Sequence, residues 1–145
     1  MRRFQFIIAL ILFLILPGML APSCESNPGR IIPYVKVDLY LLLYADLAGM
    51  GIGSSKVIHG HGVNGIVLYR ISDLEFSAYD RTCTLWPEHT EAVVEDSTFF
   101  GVFGCPECKS TFLLMNGAEP NSGPATYPLT EYHTSIRGDV LHVFN

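Results

Sequence analysis

The chain has 145 residues, 49% of them hydrophobic, and a formal net charge of −5, which suits one domain with a substantial core. Its nine Lys and Arg residues form no cluster beyond Arg2-Arg3. That distribution excludes the basic patch or stripe on which nucleic-acid binding depends.

Arg2-Arg3 precedes an apolar run from Phe6 to Leu16, and Pro17-Gly18 ends it. Basic, then apolar, then small is the layout of a secretory signal, here expected to span residues 1–23. An uncleaved anchor is the alternative, but the run falls short of the roughly 20 residues a spanning helix needs. Leu20-Ala21-Pro22-Ser23-Cys24 resembles a bacterial lipobox. On that reading Cys24 is acylated and becomes the mature N-terminus, and residues 24–30 form a polar tether. Acyl chains bind membranes at about 0.8 kcal/mol per buried methylene, so a diacylated Cys24 would hold the protein there durably. The other reading is an ordinary signal followed by an unmodified thiol. Glu25 replaces the aspartate associated with inner-membrane retention, so the outer membrane is the expected location.

Past the tether the patterns are those of strands. Val35, Val37, Leu39 and Leu41 alternate with Lys36, Asp38, Tyr40 and Leu42, a period of two. The glycine-rich stretch from Leu43 to Ser55 reads as a loop, with room for one helical turn at Ala45–Gly49. Short β-prone runs follow at Lys56–Ile58, Gly65–Ile71, Phe76–Tyr79, Ala92–Glu95, Phe99–Phe103, Thr111–Leu114, Tyr132–Ile136 and Val140–Phe144. Asn64-Gly65, Glu95-Asp96-Ser97, Asn116-Gly117 and Arg137-Gly138-Asp139 are the turns between them. No segment keeps a helical period, so the expected class is all-β, a small antiparallel sandwich or barrel over residues 31–145.

Three cysteines follow Cys24: Cys83, Cys105 and Cys108. An odd number leaves one thiol over if the others pair. Cys105-Pro106-Glu107-Cys108 is a C-x-x-C knuckle, which aims two sulfurs at one point as zinc and iron–sulfur loops require. A redox pair has the same spacing, but such pairs open a helix, and here a β-prone run follows.

The surrounding residues resemble the Rieske iron–sulfur family. Ala78-Tyr79-Asp80-Arg81-Thr82-Cys83 is similar to the strand entering the first cluster-binding loop, and Gly104-Cys105-Pro106-Glu107-Cys108-Lys109-Ser110-Thr111-Phe112 to the second loop. Asn116-Gly117, Ser122-Gly123-Pro124-Ala125, Pro128-Leu129 and Tyr132 resemble the glycine–proline loop and return strand. Gly138 to Val143 resembles the last hairpin. The whole chain also resembles Rieske-like lipoproteins of Gram-negative envelopes. The resemblance implies a Rieske-like sandwich with a loop subdomain, a [2Fe–2S] cluster, and a role in electron transfer rather than catalysis.

The ligand pattern departs from that family. Rieske proteins use C-x-H and C-x-x-H, two cysteines on one iron and two histidines on the other. Cys83 and Cys105 match the cysteines, but Leu85 stands in the first histidine position and Cys108 in the second. His89, in Trp86-Pro87-Glu88-His89, is the candidate fourth ligand, completing a Cys₃His set for zinc or a cluster with one nitrogen ligand. A solvated loop histidine is the simpler reading. Asp80 and Glu88 are weaker substitutes. Alternatively, Cys83 is disulfide-linked to Cys105 or Cys108 in a cofactor-free structural or interaction module. A bridge of that loop length contributes roughly 3 kcal/mol.

His59 and His61 are expected on one strand face in a hairpin role, and His133 and His142 in closing strands. Trp86, Phe99, Phe100, Phe103 and Phe112 are expected to pack under or beside the loops. No nucleophile elbow or phosphate loop is present. The expected partners are a membrane, through the lipid, and an envelope protein.

Overall fold

A computed structural model of the chain describes residues 31–85 and 91–145. Ten strands follow in order: β1 (Asp38–Leu42), β2 (Ser55–Ile58), β3 (Ile66–Arg70), β4 (Phe76–Asp80), β5 (Val94–Glu95), β6 (Val102–Gly104), β7 (Thr111–Leu113), β8 (Glu119–Ser122), β9 (Glu131–Arg137) and β10 (Val140–Phe144). Among the described residues the only helical element is a 3₁₀ turn at Leu114–Asn116. The all-β expectation holds. The signal and tether, residues 1–30, lie outside the described residues, as do Cys24, Trp86, Glu88 and His89.

All strand pairs are antiparallel, and they form two sheets. Six strands in the order β1-β10-β9-β4-β3-β2 make the larger sheet. It curls on itself, so that Val37, Leu39 and Leu41 from one side share a core with Ile66 and Leu68 from the other. The smaller sheet, β5-β6-β7-β8, carries the cysteine loops.

The run Ile66-Val67-Leu68-Tyr69 explains how the sheets meet. It is apolar at every position because β3 is covered on both faces. Ile66 and Leu68 point into the curl with Phe76 and Ala78. Val67 and Tyr69, with Tyr79, point the other way into a second core with Val93, Phe103, Phe112 and Leu114. That second core lies beneath the cysteines. Packing here fixes the loops.

Three local expectations change. The Phe99–Phe103 run forms a strand only at Val102–Gly104. Asp96 Oδ1 accepts from the Thr98 and Phe99 N–H groups at 2.7 and 3.1 Å, building a turn. The turn leaves Phe99 65% and Phe100 87% exposed, so these two rings do not pack beneath the loops, whereas Phe103 and Phe112 are fully buried. His59 and His61 sit in the turn after β2 rather than on a strand. Glu119–Ser122 adds an edge strand that has no apolar alternation to announce it. The helical turn near Ala45–Gly49 is present in part, with the Asp46 N–H donating to the Leu42 carbonyl at 2.8 Å.

Candidate metal centre

Cys83 comes three residues after β4, and Cys105 comes directly after β6. The crossing from β4 to the smaller sheet is fixed at its root by Asp80. This fully buried carboxylate accepts from the Val63 N–H (2.7 Å), the Thr82 N–H (2.9 Å), the Thr82 hydroxyl (2.5 Å) and the Tyr132 hydroxyl (2.7 Å). Arg81 Nε donates to the Val93 carbonyl at 3.0 Å, and Thr82 bridges to Ala92, tying the two ends of the first loop together. Asp80 is therefore committed to holding the chain and is not free to act as a ligand.

The second loop is a closed knuckle. The Cys105 N–H donates to the Ser110 carbonyl at 2.8 Å, and the Lys109 N–H to the Cys105 carbonyl at 3.1 Å. Lys109 takes φ +63, the left-handed conformation that turns the chain back. Ser110 is fully buried, and its Oγ accepts from the Ala125 N–H at 3.0 Å while lying 3.1 Å from Cys108 Sγ. Gly123 lies against Ser110, where a Cβ would come within 2.5 Å of the Ser110 Cα. In the first loop the Thr84 hydroxyl donates to the Tyr127 carbonyl at 2.6 Å. The glycine–proline segment thus braces both loops.

Three sulfurs converge as a result. The Sγ atoms of Cys83, Cys105 and Cys108 all lie within 4.8 Å of one another, and Cys83 to Cys108 is 3.5 Å. Cys83 and Cys105 are buried and Cys108 is half-buried. All three are free thiols, since a disulfide requires about 2.05 Å. Burial pushes the Cys83 thiol up to about 12, with the Leu85 N–H opposing and the neighbouring cysteines adding to the rise. Burial also acts to raise Cys108, but hydrogen bonds from the Ser110 hydroxyl and N–H, and from the other two cysteines, outweigh it and the net shift is downward. A coordinated cation would hold all three as thiolates.

Leu85 packs against the core beneath the loops, and its side chain offers no metal ligand. Among the described residues no histidine or carboxylate joins the cysteines. His59 and His61 stay with their own turn. His142 is held at 2.7 Å by Asp38 and stacks on Tyr40 at 4.2 Å. His89 lies outside the described residues. The two-cysteine, two-histidine set of a Rieske cluster is thus not what these residues supply. Ser110 and Gly123, which brace the knuckle, carry no metal-ligand signature in the sequence. Their only signal is position, Ser110 two residues past Cys108 and Gly123 in the closing loop.

No family model and no curated protein matches the sequence. Among solved structures, the chain is similar to a chain of the complex of reduced oxygenase and oxidised ferredoxin in carbazole 1,9a-dioxygenase. That similarity is 23% identity and TM-score 0.51, covering 76% of this chain and 94% of that one. It is also similar to the ferredoxin of carbazole 1,9a-dioxygenase from Nocardioides aromaticivorans IC177, at 17% identity and TM-score 0.48, covering 77% of this chain and 98% of that one. Topology and the first of these similarities define the class: a Rieske-like all-β fold. On it stands a three-cysteine group with the composition of an iron–sulfur or metal site.

Proposed function

We propose that the chain is a non-enzymatic, metal-binding module of Rieske-like fold. Its metal centre is held by Cys83, Cys105 and Cys108, and Cys24 anchors it to the envelope, in the outer membrane, through lipid. The single observation supporting the centre is the approach of three sulfurs, from two loops 22 residues apart in sequence, to within 4.8 Å. A disulfide-stapled fold needs only two of them. His89 is the proposed fourth ligand, from the sequence pattern alone. The anchor rests on the lipobox-like segment, and an envelope protein is the proposed partner.

Cys105→Ser tests the centre in the full-length chain. Metal content is expected to fall by at least tenfold, and both loops to lose stability together, read as loss of protection from proteolysis. Wild-type protein that is metal-free when purified anaerobically, with one titratable thiol and two oxidised ones, would contradict the reading. The anchor is tested separately by incorporation of labelled palmitate, which Cys24→Ala should abolish.

A further inference from the structure

We propose that the Cys83–Cys105–Cys108 group binds a single tetrahedral ion of the zinc class rather than a two-iron cluster. The proposal rests on the metal-centre reading above and gives it a definite occupant. A triangle with no side above 4.8 Å has its centre within roughly 2.8 Å of every corner. Zinc–thiolate bonds of about 2.3 Å set tetrahedral sulfur–sulfur edges near 3.8 Å, so no edge of the set need close by more than about 1 Å. The 3.5 Å separation of Cys83 and Cys108 brackets that edge from below.

A two-iron cluster makes a different demand. Its donors divide between two metals, and those on different irons must stand farther apart than those sharing one. Here the sulfur in the second-histidine position, Cys108, closes on Cys83 instead of standing off from it. The position of the other histidine is Leu85, whose side chain turns down onto the core. Nothing described reaches toward a second iron.

The polar surroundings of Cys108 also suit a metal ligand. The Cys108 thiol donates to Ser110 Oγ at 3.1 Å, beside the Ala125 N–H that donates to the same oxygen, and once a metal displaces the thiol proton the Ser110 hydroxyl would turn to donate to the sulfur. Such outer contacts orient ligands and spread their charge. The binding step is an exchange: three sulfur–metal bonds replace three metal–water bonds, up to three thiol protons leave to solvent, and the fourth position keeps a water or takes the fourth ligand proposed above. No electron is transferred.

The test uses the full-length chain in detergent under anaerobic conditions, stripped of metal and titrated with cobalt(II), then zinc(II). One cobalt per chain is expected, with the intense ligand-field absorption of a tetrahedral thiolate site, and equimolar zinc should bleach it. Zinc should also slow alkylation of all three thiols at least tenfold. In Cys108→Ser the tetrahedral cobalt spectrum should be lost or displaced. Protein isolated with two irons and two labile sulfides per chain would overturn the single-ion proposal and leave the metal reading standing. A chain that binds neither metal and whose thiols gain no protection would overturn both.

Discussion

Ser110 carries more of the site than its small side chain implies. It is fully buried, takes the Ala125 N–H on Oγ, and accepts from Cys108 Sγ on the same oxygen at 3.1 Å. Ser110→Ala leaves a buried N–H without its acceptor, and a loss of about 1–3 kcal/mol in denaturant unfolding is expected. Asp80 is a stronger case, because Asp80→Ala strands four donors at the root of the first loop. Stability is expected to drop by about 3 kcal/mol or more, with metal binding impaired as well. Neither residue could be given its role from the sequence. In the sequence Asp80 stands only as a weak alternative ligand, because nothing in its neighbours reveals that Val63 and Tyr132 fold onto it. The knuckle cysteines were legible from spacing alone, whereas Cys83 needed the family resemblance, since its approach is a tertiary event. Asp38 supplies a pH test. Its carboxyl is held below 3.8, first by the hydrogen bond with His142 and then by that ring's charge, against the opposing effect of desolvation. A depressed folded-state carboxyl stabilises above its unfolded value and loses that contribution as pH falls through the folded one. Asp38→Asn should therefore flatten the acid limb of the stability curve without changing metal content.

At the scale of elements, alternation made most of the strands readable. Val37, Leu39 and Leu41 are buried as the period of two requires, and Val140–Phe144 forms a strand over its predicted span. The pattern failed where side chains do not decide. In β8, Glu119-Pro120-Asn121-Ser122 has no apolar face. It pairs with β7 through its backbone, with Thr111 and Ser122 hydroxyls 2.8 Å apart, and its proline is tolerated on an edge. The tip between β5 and β6 failed in the opposite sense. Two phenylalanines read as strand, but Asp96 caps a turn there and Gly101 takes φ +72 with Tyr69 against it, where a Cβ would meet the ring at 3.3 Å. Phe100→Ser should consequently change unfolding free energy by no more than about 0.5 kcal/mol, while Gly101→Val should cost several times that. A large loss from Phe100→Ser would mean that the ring is buried after all.

For the whole molecule, two cores share one strand pair. β3 and β4 face the curled sheet on one side and the cysteine-bearing sheet on the other. The closing loop binds those halves, since Ala125 and Leu129 belong to the second core while Tyr132 belongs to the first. Metal binding at the loops should therefore stabilise that second core, with protection from hydrogen exchange rising across β6 and β7 when zinc is added. The most direct test of the three-thiolate centre is metal-edge X-ray absorption on the full-length protein as isolated. A bound metal whose nearest shell contains three sulfurs at about 2.3 Å is expected. A bound metal with fewer than three sulfur neighbours, or a chain that retains no metal at all, would contradict it.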